Sequence, residues 1–166
     1  MPAVAGAGFM VGSAMRLALV AAVLLLATGA AANPDDDASA PAPGQPAAVT
    51  AESRFNQGQA RARQNDWAGA EQAYREATEL RSAFPEAWNG LGHALRKRGK
   101  FEESVKAYQE ALRLRPLYPQ ALEYLGEAYV QLGRLAEARE VLARLKPLDP
   151  KEADELAQAI AQAARR

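Results

Sequence analysis

The sequence predicts an all-α fold built from repeated helical hairpins, and three observations support this prediction. From residue 51 onward, residue types recur every 34 positions, so that Gly92 has counterparts at Gly58 and Gly126. Within each copy, apolar residues are spaced by three and four positions, which is the spacing of one helix face. Gly and Pro residues fall where each helix is expected to end.

The repeat rests on more than one column of residues. A single matching column would be chance, whereas eight columns across three copies indicate one structural unit used three times. Besides the Gly58 column, the matching columns begin at Ala60, Asn65, Trp67, Ala70, Tyr74, Ala77 and Ser82, and each recurs in the second and third copies at the same interval.

The second copy shows the two helices of the unit most clearly. An apolar stripe from Trp88 to Leu95 predicts a first helix, which Gly99 ends. A second stripe begins at Phe101 and predicts a helix that ends before Pro116. Helices of about a dozen residues are marginal on their own in water. The two helices of a copy must therefore be stabilised by packing against each other.

Gly92 lies inside the first of these helices, where a Gly costs about 1 kcal/mol relative to Ala. We expect Gly92 to face the partner helix of its own hairpin, with Ala111 on the opposite side of the contact. The missing side chain would allow the two backbones to approach, so that neighbouring residues bury more apolar area. Gly92 is thus interpreted as a packing residue.

This helix–turn–helix unit and its interval resemble the tetratricopeptide repeat, whose pattern is Trp, Leu-Gly and Tyr, then Ala, an aromatic residue, Ala and Pro. The resemblance covers residues 51–150. In the third copy Leu122 replaces the Trp, and in the first copy Gln57 and Arg61 stand where apolar residues are expected. The second copy is the most similar, with matches at Trp88, Leu91, Gly92, Phe101, Tyr108, Ala111 and Pro116.

The resemblance implies a solenoid of three hairpins, over residues 51–84, 85–118 and 119–152. Residues 153–166 are similar to the solvating helix that closes the open end of such arrays. Seven helices are therefore expected. Trp67, Trp88, Tyr74 and Tyr108 fall in columns that the family uses for the core.

The resemblance also implies a concave groove, formed by the first helix of each hairpin, that takes an extended peptide or a helix of a partner protein. The expected lining carries both signs of charge, so a peptide with a negative segment next to a positive one would be complementary. Aromatic side chains in the groove would anchor the partner. The predicted groove positions are Phe55, Gln59, Arg63, Asn89, His93, Arg96, Lys97, Tyr124, Glu127 and Gln131.

Gly90 also lies on the predicted inner wall, and the other copies have no glycine at its position. Two interpretations of Gly90 stay open. The missing side chain could leave room for the backbone of a partner, or the glycine could be tolerated drift at an exposed site.

One subclass of the family clamps a C-terminal carboxylate with Lys and Asn at fixed groove positions. Here Phe55 and Gln59 stand where that Lys and Asn would be. Gln120 and Tyr124 stand where the subclass has basic residues. Binding of cytosolic chaperone tails is therefore not expected.

Composition argues against several other functions. Residues 51–166 carry 19 basic and 17 acidic side chains, a balance that does not favour nucleic acid. Arg98 and Lys100 are interpreted as cations at a helix end. Cys is absent, and His93, the single His, has no second ligand at metal spacing and no Ser–His–acid set. No catalytic residue, metal or cofactor is predicted.

Residues 1–32 are predicted to be a secretory signal peptide. Arg16 precedes an apolar run from Leu17 to Ala27, and small residues follow. The mature chain is expected to begin at Asn33, which predicts a periplasmic or secreted protein. The alternative is an uncleaved helix that anchors the protein in the inner membrane.

Residues 33–50 are predicted to be a disordered linker, because they are rich in Pro and Ala and contain no large apolar residue beyond Val49. Translation could start at Met1 or at Met15. We predict an exported adaptor that binds other proteins, in envelope assembly or secretion. The alternative is an adaptor tethered to the membrane, and the arc could also pair with a second copy through its ends.

Overall fold

The computed structural model describes residues 48–165, which form seven α-helices and no strand. The predicted signal peptide and most of the predicted linker lie outside the described residues. None of the helices in this part of the chain is both long and apolar enough to cross a lipid bilayer. The helices are α1 (Ala51–Arg63), α2 (Trp67–Leu80), α3 (Pro85–Lys97), α4 (Phe101–Leu114), α5 (Pro119–Gln131), α6 (Leu135–Leu145) and α7 (Pro150–Ala163).

The first six helices form three hairpins at a constant interval. The first helices begin at Ala51, Pro85 and Pro119, which are evenly spaced along the chain, and the starts of the second helices keep the same spacing. Each helix packs against the next along the chain, and α7 packs against both α5 and α6. The predicted all-α hairpin solenoid with a C-terminal helix is confirmed.

The helix starts use two kinds of N-terminal signal. Thr50 and Ser53 form a capping box at α1, and the Asp66 carboxylate accepts a backbone N–H at 2.9 Å at the start of α2. α3 and α5 have no side-chain cap and begin instead with Pro85 and Pro119. A proline fits the first helical position because its N–H would have no partner there.

The helix α7 begins at Pro150, ahead of the predicted start at residue 153. The Asp149 carboxylate accepts the backbone N–H of Glu152 at 3.2 Å and so caps this earlier turn. On the buried face of α7, the side chain of Leu156 occupies the space beside Gly126 of α5. The last helix therefore covers the open end of the third hairpin.

Each hairpin turns through one residue in the left-handed region. Asn65, Gly99 and Gly133 have φ angles of 59°, 75° and 70°, and they occupy the same column of the repeat. Gly adopts this conformation without strain, and Asn tolerates it better than most residues. A side chain at Gly99 or Gly133 would point into open space, so the backbone conformation is what favours glycine there.

An apolar core runs through all the hairpins. Tyr108, Leu122 and Leu145 are 0% exposed. Burial of a side chain of leucine size contributes about 1.5–3 kcal/mol. Trp88 is half-buried and packs against this core and against the cluster around Tyr74, so it joins the second hairpin to its neighbours.

Gly92 is a packing residue, but its neighbour is Tyr108. A Cβ atom at Gly92 would lie 2.6 Å from the Tyr108 ring, which is closer than real contacts allow. The prediction placed Ala111 opposite Gly92, and the contact is made instead by an aromatic ring one turn earlier in α4. The glycine therefore accommodates a ring that is completely buried.

Glu71 of α2 is 4% exposed at its side chain and is surrounded by three cations. Arg75 lies 2.9 Å and Lys100 lies 3.1 Å from its carboxylate, and Arg98 also pairs with it. Burial acts to raise the pKa of Glu71, but hydrogen bonds from Lys100, Arg75 and Arg98 outweigh it and lower the pKa. Arg98 and Lys100 thus lie at helix ends, at the end of α3 and the start of α4, and they also hold the α3–α4 turn to α2.

Candidate functional site

A cavity of about 440 Å³ opens between the first helices of the three hairpins. We call this cavity and its rim on α1, α3 and α5 the groove. Side chains of α2 and of the turn just before α5 complete its wall. The lining residues are Phe55, Gln59, Ala62, Arg63, Trp67, Tyr74, Glu86, Asn89, Gly90, His93, Tyr118, Gln120 and Tyr124.

Six of the ten predicted groove positions line this cavity, and four do not. Arg96 and Glu127 pair with each other beside it, Lys97 lies at its edge near Trp67, and Gln131 is exposed at the end of α5. The six lining positions are Phe55, Gln59, Arg63, Asn89, His93 and Tyr124.

Aromatic rings form much of the cavity wall. The Trp67 ring stacks on the His93 imidazole, with centroids 5.4 Å apart and planes 12° apart. The Tyr124 ring meets the same imidazole edge-on at 4.9 Å. Phe55 and Tyr74 are 5.7 Å apart on the other side. Trp67, which stands in a core column of the repeat, is half-buried and also lines the cavity.

Gly90 forms part of this wall for a reason that neither interpretation anticipated. A Cβ atom at Gly90 would lie 2.7 Å from the Tyr74 ring, and one at Gly58 would lie equally close. The ring of Tyr74 is thus held between two glycines on neighbouring first helices. The space beside Gly90 is filled by the protein itself, so it is neither room for a partner's backbone nor an unused site.

A buried amide lies at the centre of the groove. Asn89 is 6% exposed, and its Nδ2 donates to Oε1 of Gln120 at 3.1 Å. Its Oδ1 is buried and finds no hydrogen-bond partner within residues 48–165. Leaving a buried acceptor unpaired costs about 1–3 kcal/mol. Because Oδ1 itself has almost no surface open to solvent, a ligand could donate a hydrogen bond to it only after the Asn89 side chain turns toward the cavity.

His93 is the second unpaired polar group of the groove. Its Nε2 is buried and makes no hydrogen bond in the described part of the chain. Burial, and then the charges of Arg96 and Lys97, lower the pKa of His93 to about 4. At neutral pH the ring therefore carries one N–H donor and one acceptor nitrogen. Its ring neighbours are Trp67 and Tyr124, and neither is a carboxylate that could orient it as a general base.

The carboxylates near the groove are largely neutralised by the protein itself. Glu127 lies 2.8 Å from Arg96, and Glu86 pairs with Arg115. Burial, followed by the charges of Glu152 and Glu127, raises the pKa of Glu123 to about 7. The lining carries both signs of charge, with Arg63 and Glu86 in the cavity wall, but Glu86 and Glu127 already have cation partners within the protein.

Two positively charged side chains at the groove form no ion pair within the described residues. Arg63 of α1 and Lys97 of α3 are exposed and form no ion pair with any residue from 48 to 165. They occupy the same position in successive repeats. Lys97 Nζ lies 5.8 Å from the centroid of the Trp67 ring, and Arg63 and Trp67 both line the cavity. The groove thus offers an uncompensated positive edge.

Sequence reasoning missed three aromatic residues of the wall. Trp67 and Tyr74 belong to α2, and Tyr118 precedes α5, whereas the prediction drew only on the first helices. Tyr74 could have been found from the glycines, because Gly58 and Gly90 in two neighbouring first helices signal a bulky side chain between them.

Two family models match the chain. One is described as the tetratricopeptide repeat and matches residues 89–153. The other is described as the TPR repeat and matches residues 58–97. No curated protein sequence is a significant match to this chain.

Several solved structures share the fold. The first TPR of Spaghetti (RPAP3), bound to the HSP90 peptide SRMEEVD, has a TM-score of 0.66 and 23% identity over 70% of this chain and 94% of that one. The TPR2B domain of yeast Sti1, in its pHsp70 complex, has a TM-score of 0.64 and 22% identity over 69% and 96% of the two chains.

A third structure is the second TPR domain of human RPAP3 in complex with the HSP70 peptide SGPTIEEVD. Its TM-score is 0.64, with 23% identity over 70% of this chain and 96% of that one. Sequence identities of this size show only that the folds are alike. The two family models, which together span residues 58–153, show that this chain belongs to the tetratricopeptide repeat family.

Proposed function

We propose that this protein is a non-catalytic interaction module that binds an extended peptide segment of a partner protein in the groove. The observation that carries the proposal is the unpaired Oδ1 of Asn89, buried in the wall of an aromatic cavity. The domains of Spaghetti (RPAP3) and human RPAP3 that share the fold are bound to peptides, which supports the same use of the fold here.

An extended peptide suits the polar groups of the groove. Its backbone carries N–H and C=O groups that have no internal partner. Oδ1 of Asn89 would accept a peptide N–H, and the neutral ring of His93 would offer one donor or one acceptor. Both contacts would satisfy groups that the free protein leaves unpaired.

The aromatic wall suits an apolar anchor side chain. A cavity of about 440 Å³ is within the range of sites that hold a small ligand, about 300–1,000 Å³. Aromatic residues at the centre of an interface contribute much of the binding energy because they exclude water from the contact. One or two large side chains of a peptide would fill the cavity.

The proposal concerns peptide segments within a chain, and not C-terminal tails. Phe55, Gln59, Gln120 and Tyr124 all line the cavity, at the positions where the carboxylate-clamping subclass has Lys, Asn and basic residues. None of these four side chains carries a positive charge. A terminal carboxylate would therefore gain no counter-ion at the four clamp positions, and the free cations of the groove, Arg63 and Lys97, stand elsewhere on its wall and edge.

We further propose that the protein is exported and serves as an adaptor in envelope assembly or secretion. The support is the order of Arg16, the apolar run from Leu17 to Ala27 and the small residues that follow. The alternative is an adaptor tethered to the membrane by the same apolar run, with residues 33–50 as a spacer. Fractionation and N-terminal sequencing distinguish them, because a mature start near Asn33 excludes the tether.

Peptide selection on the full chain tests the binding function. A phage-displayed library of random short peptides is selected on the immobilised protein, and recovered peptides are measured by fluorescence anisotropy. Gln59→Trp, which fills the cavity from α1, should weaken binding by at least about tenfold, equivalent to about 1.4 kcal/mol. The control of equal bulk is Arg139→Trp, at an exposed position of α6 outside the cavity.

Circular dichroism shows whether both variants keep their helical content. Recovered peptides that bind the two variants equally well would exclude the groove as the binding site. Turnover of a substrate that depends on His93 would overturn the non-catalytic assignment.

A further inference from the structure

We infer that the groove selects peptides in which an acidic side chain lies a few positions from a large apolar one. This inference rests on the proposed peptide-binding function and specifies its ligand. The apolar side chain enters the aromatic cavity, and the acidic side chain contacts Arg63 and Lys97.

Two positive charges at the groove are not paired within the described residues. Arg96 is occupied by Glu127 at 2.8 Å, and the carboxylate of Glu86 is occupied by Arg115. Arg63 and Lys97 have no carboxylate partner in the described residues, although both are at the groove. They stand at equivalent positions of neighbouring hairpins, and an acidic side chain of a peptide would be attracted by both charges.

These two cations lie next to the aromatic cavity. Lys97 Nζ lies 5.8 Å from the Trp67 ring, and Trp67 stacks on His93 inside the cavity. The free charges thus border the same ring that forms one end of the apolar wall. An extended chain advances about 3.3–3.6 Å per residue, so a few residues lead from the cavity to this edge.

Asn89 would anchor the backbone of the peptide. Oδ1 of Asn89 is a buried acceptor on a residue that lines the cavity, and once its side chain turns toward the cavity it would accept a peptide N–H whatever the neighbouring side chains are. Asn89 and the aromatic wall therefore supply affinity, whereas Arg63 and Lys97 supply selectivity. Mutating the cations should change which peptides bind without abolishing binding.

A basic peptide is disfavoured by the same arrangement. A Lys or Arg side chain near Trp67 would meet Arg63 and Lys97, and the carboxylates of Glu86 and Glu127 already have partners. Like charges brought together at an interface suppress the wrong partners.

The test uses the peptides that the full chain selects from the random library. Each recovered peptide is synthesised as selected and as an analogue in which Asp and Glu become Asn and Gln. Anisotropy measures the Kd of both forms for the wild type and for the double variant Arg63→Gln/Lys97→Gln. The matched control is Lys106→Gln/Arg139→Gln, which removes two exposed cations of α4 and α6 that have no ion pair within residues 48–165.

We expect the selected peptides to pair an acidic residue with a large apolar one. At low salt their amide analogues should bind the wild type about 3- to 10-fold more weakly, as two partly exposed ion pairs would require. In the groove variant this ratio should fall to about one, whereas the control variant should keep it. High salt should reduce the ratio in the wild type as well.

Two results would contradict the inference, and they differ in whether they also contradict the peptide-binding function of the groove. Selected peptides that lose affinity with Gln59→Trp but bind equally well in acidic and amide forms would retain the groove function and refute acid selection. Selected peptides whose affinity is unchanged by Gln59→Trp would refute both the groove function and the acid selection.

Discussion

The phenol ring of Tyr74 occupies the space that a side chain at Gly90 would need. A Cβ atom at Gly90 would lie 2.7 Å from Cε1 of that ring. Tyr74 is buried at 6% exposure and also lines the groove. This one contact therefore joins the packing of α2 on α3 to the shape of the candidate binding site.

Replacing Gly90 by Ala should destabilise the protein, although Ala is the better helix former. The methyl group would overlap with the Tyr74 ring, and overpacking costs about 1–3 kcal/mol, against a gain of about 1 kcal/mol in helix propensity. Urea denaturation measures the change. The control is the same replacement in a Tyr74→Leu background, where the ring is absent and Gly90→Ala should be neutral or stabilising. An equal loss in both backgrounds would exclude the ring as the cause.

Replacing Asn89 by Leu should separate binding from stability. The change removes a buried acceptor that has no partner in the described part of the chain, and it also removes the hydrogen bond from Nδ2 to Gln120. Because Gln120 is exposed, its amide oxygen can accept from water instead, so the free energy of unfolding should stay equal or rise. Binding of the selected peptides should weaken by about tenfold, since a peptide N–H loses its acceptor. Urea denaturation and anisotropy measure the two quantities. A variant that unfolds more easily and still binds would show that Asn89 is structural.

Glu71→Gln should destabilise the protein by about 1–3 kcal/mol at neutral pH, because three cations lose their shared carboxylate. The pKa of Glu71 is lowered in the fold, so its contribution is present above the pKa of the unfolded chain and is lost as pH falls through the folded pKa. The wild type should therefore lose more stability than the variant below about pH 4.5. Glu103→Gln, at an exposed position of α4, is the control and should have little effect.

The stability contributed by His93 should change in mildly acidic solution. Its pKa is about 4 in the fold against 6.5 in the unfolded chain, so between these values only the unfolded chain binds the proton. Stability should fall with pH from about 6.5 to about 4, by about 1–3 kcal/mol. Because Glu123 has a raised pKa of about 7 and titrates with the opposite sign, the comparison is made in a Glu123→Gln background.

In that background, His93→Gln should flatten the dependence of unfolding free energy on pH. His93 is the single His of the chain, so its NMR titration can be assigned without ambiguity. An imidazole that titrates near 6.5 would contradict the burial of the His93 ring.

Much of the fold was predictable from the sequence because a repeat multiplies weak signals. Asn65, Gly99 and Gly133 each indicate a turn only weakly, but their common column places three turns at one interval. The structure puts all three in the left-handed region. The start of α7 could not be predicted as accurately. This helix has no counterpart in the repeat, and its cap, Asp149, lies before the predicted boundary.

The groove was predictable only as a set of positions along helices. The column positions identified Asn89 and His93 as groove residues, because the first helix of each hairpin repeats the same faces. They could not show that Glu127 is paired with Arg96 while Lys97 has no ion pair within residues 48–165, because ion pairing depends on which side chains meet across neighbouring hairpins. We therefore propose an acidic ligand in place of the ligand with two signs of charge that the sequence suggests.

By itself, the sequence determined the number of hairpins, their interval, their turns and the helices that face the groove. These features follow from local periodicity, and the same residue pattern recurs in each copy. The tertiary structure alone decided why Gly90 is a glycine, which cations surround Glu71 and which charges at the groove stay uncompensated. Those outcomes depend on contacts between residues distant in sequence, and a repeating pattern does not encode the pairing of side chains that differ from copy to copy.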